Sequence, residues 1–221
     1  SQQRMRGIHQ SWAGKEYADL APLILYAASQ AQKGAGPSMF GRGRATHRAL
    51  AERADELGLD ERSLGARAQV DPQRVADALD SDIDLEATLT VGEVKRILQA
   101  LDLDFLAVFG ISCAFCKQVD AGLAERHGEL RALPRNELIV RRREELGLSQ
   151  DGLLTKLGIT AWYERNAERP WAQNRMRLWR ALETGPDALD DLSLDQVRLL
   201  NRVLLLPMHL LVGVRCSTCD R

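Results

Sequence analysis

Apolar residues in this chain recur three and four places apart, the spacing that lines one face of a helix. Between Glu56 and Leu79 the pattern is densest. Leu64 and Ala68 lie four apart, Val70 falls in a polar break, and Val75 and Leu79 resume the same spacing. Asp71 is a natural helix N-cap and Pro72 suits a first helical position, so two signals start the second helix at one place. The stretch therefore predicts a helix, a tight turn and a second helix. The pattern returns with Leu146, Leu148, Leu153, Leu157 and Ile159 in place of Leu57, Leu59, Leu64, Ala68 and Val70.

Each copy has a head and a tail. Thr46 is the expected cap of a helix reaching about Leu57, and Glu137 to Glu145 is its counterpart. Asp80 to Glu86 reads as an acidic loop. Thr90 then caps a helix from Val91 to Ala100, with Val94, Ile97, Leu98 and Leu101 inward, and a short helix covers Phe105 to Phe109. Ser193 to Leu206 repeats the closing helix, with Val197, Leu200 and Leu204 matching Val94, Ile97 and Leu101. Gly110, Cys113 and Cys116 match Gly213, Cys216 and Cys219. Leu57 to Leu146 is a step of 89 residues and Cys113 to Cys216 a step of 103, so the second copy is 14 residues longer. The surplus falls around Trp171 to Asp190, as an added or lengthened helix and loop.

Outside the repeats, Ser11 can cap a helix from Trp12 to about Gln32, kinked at Pro22, with Leu20, Leu23, Ile24 and Ala27 as its stripe. Gly34 to Arg44 reads as a loop. Lys117 to Leu133 reads as a polar connecting helix, and Pro134 and Asn136 restart the chain. The expected architecture is all-α: two helix-turn-helix modules in tandem, related by a pseudo-two-fold, with an N-terminal helical extension. Its parts are residues 1–43 (helix and basic Gly-rich arm), 44–116 (module one), 117–135 (connecting helix) and 136–221 (module two).

Both repeats resemble the phage-repressor (Xre/Cro) family of helix-turn-helix domains. Leu148-Ser149-Gln150 and Leu157-Gly158-Ile159-Thr160 carry the nearest likeness. The resemblance implies a sequence-specific DNA-binding transcriptional regulator whose second helix enters a major groove. It gives Gln150 a phosphate contact, and it makes Thr160, Trp162, Tyr163 and Arg165 the opening of a recognition helix, with Arg169 just beyond. The first copy has Glu61 where the second has Gln150, a departure from the pattern; it offers Gln73 and Arg74 for base or phosphate contact. Arg42-Gly43-Arg44 is the core of an arm that inserts arginines into a minor groove, though a plain linker is the stronger reading of those residues.

Composition changes this picture in two ways. The formal net charge is −1, and residues 44–110 hold eight basic against fourteen acidic side chains. A phosphate lattice repels such a module unless its acids face away, so the second copy is expected to carry most of the DNA contact. The four cysteines are too few for a disulfide scaffold. Two Cys-x-x-Cys turns at matching ends of a repeat instead suit a closed four-thiolate zinc site of Cys113, Cys116, Cys216 and Cys219 joining the two modules. An iron–sulfur cluster, a thiol–disulfide switch and merely buried thiols are the other readings. The four histidines form no ligand pattern, and His209 is expected in the core.

No phosphate loop, His-Glu-x-x-His or recognisable nucleophile set occurs, so no enzyme is expected. The longest apolar run, Val203 to Val212, is far shorter than the ~20 residues of a membrane span and contains Pro207 and His209. The expected partner is double-stranded DNA, with homodimer formation or a protein partner as further options and no membrane. The expected location is the cytoplasm, on the bacterial nucleoid. The rival function is an antitoxin-like or adaptor module that holds a protein on the same scaffold. A second rival is a regulator that senses redox state through its cysteines.

Overall fold

The structure, a computed structural model, describes residues 39–111 and 132–215, with side chains described from residue 45. The expected N-terminal helix, nearly all of the connecting helix and both cysteine pairs lie outside these residues. Among the described residues every regular element is helical, as the spacing of apolar positions requires.

The first unit runs α1 (Met39–Glu56), α2 (Glu61–Ala68), α3 (Pro72–Leu79), α4 (Leu85–Thr88), α5 (Val91–Ala100) and α6 (Phe105–Val108). The second runs α7 (Arg135–Glu145), α8 (Gln150–Lys156), α9 (Ile159–Asn166), α10 (Pro170–Ala181), a 3₁₀ turn (Ala188–Asp191), α11 (Leu194–Leu204) and α12 (Met208–Val212). Caps set most starts. The Asp60 carboxylate accepts from the Ser63 amide, Asp71 from Gln73 and Ser149 from Gly152. Thr90 with Glu93, and Ser193 with Gln196, form reciprocal capping boxes at α5 and α11.

One start differs from the sequence reading. α1 begins at Met39, so Arg42 and Arg44 lie in its first turns and not in a loop. Thr46 does not cap it; the hydroxyl donates to the Val108 carbonyl at 3.4 Å. A capping Thr accepts from an amide of the first turn, whereas Thr46 lies inside a helix that starts seven residues earlier. The acidic loop is also shorter than expected, because Asp84 caps α4.

Several contacts of the first unit recur in the second. Arg53 donates to the Leu101 carbonyl at 3.1 Å and pairs with Glu56 at 2.8 Å. Arg142 donates to the Leu204 carbonyl at 2.8 Å and pairs with Glu145 at 2.8 Å. Gly58 and Gly147 take the same left-handed turn, as do Asp102 and Leu205, and Gly110 and Gly213. The 3₁₀ turn stands where α4 stands in the first unit, 103 residues on. α10 has no counterpart and contains most of the extra length.

The units meet at their closing helices. The Val91 amide donates to the Leu192 carbonyl at 2.7 Å, and Thr90 pairs with Ser193 in an isolated antiparallel bridge. Thr90 and Ser193 are the two equivalent capping residues. Antiparallel pairing of a residue with its own counterpart is the relation a local two-fold axis imposes. Lys95 reaches Asp190 at 3.0 Å, and its counterpart Arg198 reaches Glu86 at 2.7 Å. Leu89, Val91, Leu192 and Leu194 close the joint with no exposed surface, each contributing roughly 1.5–3 kcal/mol of burial. Buried apolar residues of both units form one continuous core, and His209 is buried as well.

Candidate nucleic-acid interface

In the second unit, α8 and α9 are joined by Leu157 and Gly158 alone. Gly158 has φ +73°, so the chain reverses through a left-handed residue that costs glycine nothing. In the first unit Gln69 holds that place at φ +55°, and Asp71 then caps α3. Close packing there rests on Gly65, where a Cβ would sit 2.8 Å from the Val70 carbonyl oxygen.

The residues expected to read DNA divide into two groups. In the second unit, Arg165 and Arg169 are exposed at the end of α9 and the start of α10. The Thr160 hydroxyl lies 3.3 Å from that of Thr155. The Gln150 amide donates to the Arg180 carbonyl at 3.2 Å, tying the start of α8 to the end of α10. Tyr163 packs against the core with part of its ring uncovered. In the first unit, Gln73 is exposed. Arg74 is drawn inward: it donates to both Glu93 oxygens at 3.0 and 2.8 Å and to the Thr88 carbonyl at 2.7 Å, with Asp77 at 3.7 Å. Burial alone would raise the Glu93 carboxyl, but the Arg74 and Thr90 hydrogen bonds outweigh it and hold it below its usual value. Arg74 is thus committed to the fold. The described structure does not extend to the side chains of Arg42 and Arg44.

Trp179 is buried in the core, whereas Trp171, two helical turns before it, is 48 % exposed. The buried stripe of α10 is Ala172, Met176 and Trp179, a helical repeat that leaves Trp171 about a quarter-turn off it. What sits beside Trp171 was not visible in the sequence. Its ring lies 5.4 Å from that of Trp162 on α9, tilted by 54°. The Arg175 guanidinium stands 5.1 Å from the Trp162 ring and that of Arg169 stands 5.9 Å from Trp171. An Arg–Trp–Trp–Arg ladder therefore runs across α9 and α10. Stacking occupies the faces of the guanidinium groups and leaves their N–H edges for an anion. Among the described residues no carboxylate lies within ion-pair reach of Arg165, Arg169, Arg175 or Arg177. Residues 155–182 hold six basic and two acidic side chains.

Among the described residues no cluster of three or more His, Cys, Asp or Glu side chains is placed to hold a metal, and no helix is long and apolar enough to cross a membrane. Comparison with family models, with curated proteins and with solved structures finds no match.

Proposed function

We propose that this chain is a sequence-specific DNA-binding transcriptional regulator that docks on double-stranded DNA through the α8–α9 helix pair. The observation that carries the reading is the second unit's surface. A short helix pair with a glycine turn presents Thr160 and Arg165, and beside it stand Arg169, Arg175 and Arg177, with no carboxylate in ion-pair reach among the described residues. Helix pairs of this kind place the second helix in the major groove, and unpaired arginines take the flanking phosphates. Selection of bound fragments from random duplexes, followed by titration of the winner at several salt concentrations, tests this. Affinity is expected to fall steeply with salt and to be lost in the double variant Arg165→Ala/Gln150→Ala. A protein that retains no duplex at low salt overturns the reading.

The same reading assigns Cys113, Cys116, Cys216 and Cys219 one zinc ion as a clamp between the units. Its support is that Ile111 and Val214, each just before a cysteine pair, pack against the one core that both units share. Elemental analysis is expected to find one zinc per chain, and chelation to lower the melting temperature. Purified protein with no metal and no loss of stability in chelator overturns the clamp.

A further inference from the structure

We propose that the chain touches DNA at one end only. The α9–α10 surface with its Arg–Trp–Trp–Arg ladder supplies the contact, and the first unit's counterpart helix α3 stays off the duplex. This rests on the DNA-binding reading above and sharpens it, because the internal two-fold points the other way. Two equivalent helix pairs about a two-fold would be expected to read a palindrome, one half-site each.

Three observations break that symmetry. The first is charge. Asp71 caps α3, Asp77 lies on it and Asp80, Asp82 and Asp84 lie on the loop that follows, while Arg74, the arginine of that helix, is held by Glu93 and the Thr88 carbonyl. Phosphates approaching α3 meet carboxylates. The second is the added helix. α10 is the element the first unit lacks, and it supplies Trp171, Arg175 and Arg177. The third is the ladder. Arg169 and Arg175 stand over indole rings, and among the described residues no carboxylate lies within ion-pair reach of either, so both charges are available to a phosphate. Trp171 adds a half-exposed apolar surface that can lie against a sugar or a base edge.

One chain should accordingly cover one unsymmetric site. Four phosphates met by Arg165, Arg169, Arg175 and Arg177 imply a log–log salt slope near −4, since each contributes about −0.9. The test uses the full chain, the fragment selected above, and anisotropy titrations of Arg175→Ala, Trp171→Ala and Gln73→Ala. All three positions are exposed, and circular dichroism and melting curves confirm that each variant is folded. The expected result is a motif without a dyad, bound by one chain. Arg175→Ala should weaken binding about tenfold and make the slope shallower by about one, and Trp171→Ala should weaken it with the slope unchanged. Gln73→Ala should bind as the parent does. A palindromic motif, or a Gln73→Ala loss equal to that of Arg175→Ala, overturns the one-ended contact and leaves the DNA-binding reading standing. Failure of the parent protein to bind any duplex overturns both.

Discussion

Arg53 and Arg142 occupy equivalent places and make equivalent bonds, yet their surroundings differ. The side chains of Arg142 and Glu145 are 2 % and 6 % exposed, whereas those of Arg53 and Glu56 are 32 % and 63 % exposed. Replacing each arginine by methionine keeps much of the apolar stem and removes the charge and the donors. At Arg142 the change leaves the Leu204 carbonyl without its donor and a nearly buried carboxylate without its close partner. Removal of one member of a buried pair costs about 3–5 kcal/mol. Arg141, 3.5 Å from Glu145 and mostly exposed, relieves only part of this. At Arg53 the exposed pair contributes about 0.2–1 kcal/mol. The hydrogen bond to Leu101 adds about 1 kcal/mol, so the loss there should stay below about 2 kcal/mol. Urea and thermal unfolding followed by circular dichroism should therefore separate the variants by at least about 1 kcal/mol. At about 2–4 °C per kcal/mol, Arg142→Met should melt on the order of 10 °C below the parent. Adding Glu145→Gln should recover at least about 1 kcal/mol, because it removes the uncompensated charge. Equal losses at the two sites would refute the argument, since burial is the main difference between them.

Two further outcomes follow from the same geometry. At Asp190, burial alone would raise the carboxyl, but the hydrogen bonds from Arg135 and Lys95 prevail and depress it. A depressed carboxyl stabilises the fold above its unfolded value and loses that contribution as the pH falls below about 4. Asp190→Asn should thus cost about 2 kcal/mol at neutral pH, and its stability curve should converge with the parent's in acid; parallel curves would contradict the assignment. At the turn between the paired helices, Gln69→Gly should raise stability by about 1 kcal/mol and Gly158→Gln lower it by about as much, because both positions are left-handed and only glycine adopts that conformation freely. Chemical denaturation of the two variants checks the pair of signs.

Much of the architecture was legible because it is local. Capping residues and apolar spacing lie within a few positions of one another, so Thr90, Ser193, Asp71 and Pro72 marked helix starts correctly. The 14-residue surplus was legible too, since a step of 89 that becomes 103 locates an insertion without any geometry. Three features were not. Thr46 looks like a cap, but α1 starts at Met39 and places it inside the helix, where its hydroxyl donates to the distant Val108 carbonyl. Arg74 looks like a free base-reading arginine, and its capture depends on Glu93, 19 residues away. Trp171 looks like core because tryptophan usually is, and its exposure depends on which stripe of α10 faces inward. Each miss is a case of long-range partners deciding what a side chain with several options does. The cysteine pairs belong to neither group, since they lie outside the described residues.

The added helix also gives the second unit a surface that the first lacks. The joint between the units uses residues in the 103-residue register, Thr90 with Ser193 and Lys95 and Arg198 with acids across the axis. α10 enters between α9 and the 3₁₀ turn, upstream of the second unit's joint residues and downstream of the first unit's, so the joint keeps its geometry whatever the insertion carries. Nor is the insertion a loose loop. Ala172, Met176 and Trp179 are buried, and the Gln150 amide holds the Arg180 carbonyl at its far end. A helix fixed along its inner stripe holds its outer residues in place, and groups meant to meet a ligand gain most from rigid support. Trp171 and Arg175 therefore meet whatever binds there from a preset position, with little ordering entropy left to lose.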